Sequence, residues 1–128
     1  MLDKNEFVDS PLSFEDIERI DATGLPTVDR HYLRLLAHCL SCFKGMANGS
    51  NLGFLPEEQD RLNWLLAKPA LIDEREFVFA LLDQLASAGL QLEKIADECN
   101  ISPLELTLQE LIDFSLRGST GRDPVSKF

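Results

Sequence analysis

Three features of the sequence predict an all-α fold, a single compact bundle of about six helices around a central helix at residues 28–47. Apolar residues make up 45% of the 128 residues, with leucine the commonest of them. β-Branched residues are sparse, and no stretch alternates apolar and polar as a half-buried strand does. Between the breakers Gly24–Pro26 and Asn48–Gly49 lies Thr27–Ala47, the longest run that reads as one helix.

The domain plan is an acidic arm at 1–12, a helical domain at 13–117 and a disordered tail at 118–128. In the arm, acidic residues and Pro11 give little to bury. Ser13 with Asp16 has capping-box spacing and starts a short helix from Phe14 to about Ala22, with Phe14, Ile17 and Ile20 inward. Thr27 is the expected cap of the central helix. At 3.6 residues per turn Val28, Tyr32, Leu35, Leu36, Cys39, Cys42, Phe43 and Met46 share a face, widened by Leu33 and Leu40. So wide a stripe needs neighbours on more than one flank. Asn48 and Gly49, both tolerant of left-handed backbone, stop the helix. Leu52, Phe54 and Leu55 are expected to anchor the loop that follows.

Pro56 at a first-turn position, with Glu57, Glu58 and Asp60 behind it, starts the next helix. It turns Leu62, Leu65 and Leu66 inward, keeps Trp64 at its edge and ends before Pro69. Asp73 and Glu76 read as a capping box for a helix 74–88, which Gly89 should end. A short helix 92–99 follows. Asn100 makes a tight turn, and Ser102-Pro103-Leu104-Glu105 opens a last helix to about Leu116, stopped by Gly118.

A net charge of −10 disfavours non-specific binding to nucleic acid or anionic lipid. No apolar run approaches the ~18 residues of a membrane span, and the acidic N-terminus lacks the apolar stretch of a signal peptide. Three cysteines, an odd number in a chain without an export signal, fit a reducing, cytoplasmic setting.

No P-loop, dinucleotide fingerprint, nucleophile elbow, HExxH or EF-hand loop occurs, so no catalytic residue and no cofactor is assigned. His38, Cys39 and Cys42 are the only metal or redox candidates. A reactive CxxC belongs at a helix N-terminus, and a zinc site needs four ligands. This pair lies past the middle of its helix, where cysteine behaves as a small apolar residue. Core packing is therefore the expectation, and an enzyme resting on His38 and Cys42 is the weakest reading.

Leu92–Phe114 carries Ile95-Ala96, Asn100, Ile101-Ser102 and Leu106. On these residues it resembles the helix-turn-helix of bacterial regulators and sigma-type factors. The resemblance implies a corner of two helices, with Pro103–Glu110 as the recognition helix. Charge opposes DNA contact there: Glu93, Asp97, Glu98, Glu105, Glu110 and Asp113 stand against Lys94 alone. Exposed Leu104 and Leu108 would instead suit a protein partner. Arg30, Arg34 and Lys44, in a stretch without an acid, form a basic strip that either pairs with the acidic N-terminal region or holds a partner's acidic segment.

These features favour a non-catalytic adaptor or regulatory module that binds another protein, with Arg30, Arg34, Lys44, Trp64, Leu104, Leu108 and the Leu52–Leu55 loop as candidate contacts. A homodimer would also suit the apolar content. The alternative is a transcription-related regulator acting through the helix-turn-helix-like corner.

Overall fold

In a computed structural model, residues 13–71 and 73–121 are described, and all regular structure among them is helical. Five α-helices follow in order: α1 (Phe14–Asp21), α2 (Thr27–Met46), α3 (Glu58–Leu66), α4 (Arg75–Glu98) and α5 (Leu108–Gly121). Two 3-10 turns, Pro69–Leu71 and Pro103–Glu105, precede α4 and α5. The expected arm at 1–12 and the last seven residues of the expected tail lie outside the described residues. Residues 118–121 belong to α5, which runs on past Gly118.

The α2 helix is central, as its wide stripe requires: it packs against α1, α3, α4, α5 and the Pro103–Glu105 turn. Its buried residues are Leu33, Leu36, Ala37, Cys39, Leu40, Cys42 and Phe43. The stripe starts later than expected. Val28 is 77% exposed and Tyr32 45% exposed, because the packed neighbours cover α2 only from Leu33 on. Thr27 is the first helical residue rather than the cap, which falls on Pro26. Phe14, expected inward, is exposed, while Ile20 of α1 is fully buried.

Several local expectations hold. The Ser13 hydroxyl accepts from the Asp16 N–H at 3.0 Å and caps α1. Asn48, Gly49 and Asn100 take left-handed backbone at φ 58°, 80° and 59°. Others need correction. The α3 helix starts two residues later than expected, at Glu58, with Glu57 as its cap and Pro56 outside it. At α4 the cap is Glu74, with no side-chain cap bond, so Asp73 and Glu76 do not form the expected box.

The largest correction is Gly89. It does not end a helix; it lies buried inside the continuous 24-residue α4. A Cβ placed there would stand 3.5 Å from Phe43 Cζ and 3.6 Å from Leu55 Cδ1. Those are ordinary contact distances, so the site has room for one Cβ, and the packing of α4 against its neighbours outweighs the helix cost of one glycine, about 1 kcal/mol.

The last helix is also split. The Ser102–Glu105 capping box forms, with Glu105 Oε2 accepting from the Ser102 N–H at 2.7 Å. It caps only one 3-10 turn. Leu106 is extended, and Glu110 makes a second cap, its Oε1 accepting from the Thr107 N–H at 2.6 Å and from the Thr107 hydroxyl at 2.7 Å. The second cap restarts the helix at Leu108.

Candidate protein-binding site

The cysteine–histidine group sits inside the bundle. Cys39 and Cys42 are buried, and burial pushes the Cys39 thiol up to about 11, away from the thiolate that redox or metal chemistry needs. His38 is half-buried with its pKa lowered by desolvation, and its Nε2 is enclosed without a hydrogen-bond partner. His31 is exposed. Among the described residues no three His, Cys, Asp or Glu side chains stand close enough to hold a metal ion. The arrangement offers packing: Leu35, Cys39, Cys42, Trp64, Phe77 and Leu81 line an apolar cleft of about 230 Å³ between α2, α3 and α4.

The basic strip is divided between two internal tasks. Arg34 meets Asp21 Oδ1 at 2.8 Å and Arg30 meets the same oxygen at 3.5 Å, so the end of α1 is tied to α2. Lys44 points elsewhere. Its Nζ donates to the Leu106 carbonyl at 2.6 Å, and desolvation lowers its pKa, with Glu110 opposing. Pairing with the acidic N-terminal region therefore occurs, through Asp21, and Lys44 braces the corner.

Of the apolar candidates, Leu104 is 3% exposed and presents no surface. The 3-10 turn rolls it inward, where its N–H donates to the Gly53 carbonyl at 3.1 Å. Leu108 is half-buried against the core. Trp64 is also half-buried, with the Lys68 ammonium 4.2 Å from its ring centroid. Pro103–Glu110 does not form one helix, so the recognition helix implied by the helix-turn-helix resemblance is absent from this corner.

An apolar surface does exist, in the loop before α3 and on the outer face of α4. Leu52 and Phe54 were expected to anchor that loop; they are 69% and 87% exposed. Of the three expected anchors only Leu55 holds the loop, and Gly53 joins it. The Gly53 N–H donates to Ser102 Oγ at 2.9 Å, and Leu55 is buried. With Gly53 fixed at φ 113°, its two large neighbours project outward. Leu55, Pro56, Ala86, Gly89 and Leu90 line a cleft that begins at the residue after Phe54, with Glu57, Arg61 and Glu93 also lining it. Leu90 is 71% exposed, and Phe79 lies on the same side of α4, three turns earlier.

Sequence reasoning missed Phe79 and Leu90 because it broke the helix at Gly89. The signal was present: eleven residues separate them, which is close to three full helical turns. Two exposed apolar residues at that spacing on one unbroken helix mark a face with nothing packed on it among the described residues.

No curated protein and no solved structure matches the chain. One family model does match, that of the NDH complex assembly factor CRR9, over residues 12–120. Those residues include all of α1 to α4 and nearly all of α5, and the chain belongs to that family.

Proposed function

We propose that this chain is a protein-binding factor that helps the NDH complex assemble, holding one of its subunits or partial assemblies without catalysing a reaction. The observation that carries the reading is the family match across residues 12–120. An assembly-factor family is non-enzymatic, in keeping with the missing catalytic motifs. The geometry supports it. Polar chemistry is turned to internal bracing, as at Lys44 and Asp21, while large apolar residues at Leu52, Phe54 and Leu90 face outward. A transcription-related role has no support, since the corner lacks a recognition helix and is acidic. The proposed setting is reducing and cytoplasmic, supported by the odd count of three cysteines.

The test is genetic. Cells that make the NDH complex are deprived of this chain, and the complex is quantified on native gels. The expected result is a large loss of complete complex while its subunits are still synthesised, restored by the wild-type chain. Normal amounts of complex without the chain would contradict the reading.

A further inference from the structure

The outer face described above says something about what it holds. Leu52, Phe54 and Leu90 are among the most exposed large apolar side chains of the described residues, and Leu90 lines a cleft of about 310 Å³ together with Leu55, whose loop carries Leu52 and Phe54. The face is fixed before any partner arrives. Both backbone polar groups of Gly53 are bonded, to Ser102 and Leu104, and Leu90 stands on a 24-residue helix. Little conformational freedom is left to lose on docking.

The charges around this face are mostly negative. Glu57 and Glu93 line the cleft and are exposed. Asp83 and Asp97 lie seven residues either side of Leu90, within about 20° of it around α4. Two cations are near. Arg61 is turned inward, its Nη1 donating to the Pro56 carbonyl at 3.3 Å and its guanidinium 6.0 Å from the Phe43 ring centroid. Lys94 is exposed one turn after Leu90. Four exposed acids therefore face outward against one exposed base.

We infer that the face of Leu52, Phe54 and Leu90, rimmed by Glu57, Glu93, Asp83 and Asp97, docks a segment of a protein partner that carries Lys or Arg beside large apolar side chains. The apolar groups supply the affinity, and the acidic rim selects and steers a basic partner. A second copy of this chain fits poorly, because two such faces would oppose acid to acid on a molecule of net charge −10. Nucleic acid and anionic lipid are repelled by the same rim. The inference rests on the protein-binding reading above and names the site and partner chemistry for it.

The experiment is affinity recovery of NDH complex subunits by the tagged full chain, from cells lacking the native one, over a range of salt concentrations. The variants are Phe54→Ser with Leu90→Ser, Glu57→Gln with Glu93→Gln, and Phe14→Ser as an exposed apolar control in α1. All replaced side chains are exposed, so melting temperatures close to wild type are expected and are measured first. The apolar pair should reduce recovery about tenfold or more. The acid pair should weaken recovery at low salt and flatten its salt dependence. The control should behave as wild type.

Full recovery with the apolar pair would overturn the site while leaving the assembly role standing. An unchanged salt dependence with the acid pair would overturn the basic partner class. A dimer in light scattering that Phe54→Ser with Leu90→Ser converts to monomer would assign the face to a second copy instead. Recovery of no NDH complex subunit by the wild-type chain would overturn the assembly role along with the site.

Discussion

Lys44 Nζ, in the last turn of α2, donates to the backbone carbonyl of Leu106, 62 residues along the chain. That carbonyl lies at the extended step between the Pro103–Glu105 turn and α5, where no helical N–H can reach it. One ammonium thus ties the central helix to the corner and also complements the C-terminal end of the α2 dipole.

Lys44→Met keeps most of the aliphatic stem and removes the donors. The Leu106 carbonyl then loses a charge-assisted bond, and stability should fall by about 1–2 kcal/mol. Urea denaturation with far-ultraviolet circular dichroism measures this. An unchanged midpoint would mean that water replaces the ammonium at no cost.

Gly89 gives a prediction of two signs. A Cβ would meet Phe43 and Leu55 at ordinary contact distances, 3.5 and 3.6 Å. Gly89→Ala should therefore stabilise the protein by roughly 0.5–1 kcal/mol through helix propensity. Gly89→Leu drives further atoms into the Phe43 ring and should destabilise by about 1–3 kcal/mol. Thermal melts of the two variants separate close packing from a simple helix stop, which would favour glycine over alanine.

Cys39 makes stability depend on alkaline pH. Burial raises its thiol from 9.0 to about 11, so the folded state keeps a proton that the unfolded state releases first. The contribution is present in full below the unfolded value and is lost as pH rises through the folded one, roughly 3 kcal/mol across that window. Tyr32 is also raised, by desolvation first and then by Cys39, and adds a loss of the same sign. Cys39→Ala should shrink the alkaline fall in urea midpoint but not abolish it. It should cost about 1–2 kcal/mol at neutral pH for the atom removed. A thiol that reacts readily at neutral pH in the folded protein would contradict this assignment.

Where the chain punctuates itself, its elements were legible. Thr27–Met46 lies between Gly24–Pro26 and Asn48–Gly49, and left-handed backbone at Asn48 and Gly49 ends it as those residue types imply. The centrality of α2 followed from the width of its stripe. What escaped depended on partners far along the chain. Gly89 reads as a stop until Phe43 is seen across from it. Ser102–Glu105 reads as the start of a long helix, although Thr107–Glu110 is a second cap with equal local merit. Leu104 looked available because its 3-10 turn was read as α-helix. Leu52 and Phe54 looked like anchors because backbone bonds at Gly53, which actually hold the loop, leave no trace in hydrophobic pattern.

The central claim is that this bundle serves assembly by holding another protein. The most direct measurement is a two-dimensional native gel of cells making the NDH complex, probed for this chain and for subunits of the complex. The account predicts comigration with incomplete assemblies and absence from the finished complex. A chain that runs alone at every stage, or that remains in the finished complex in fixed proportion, would contradict it.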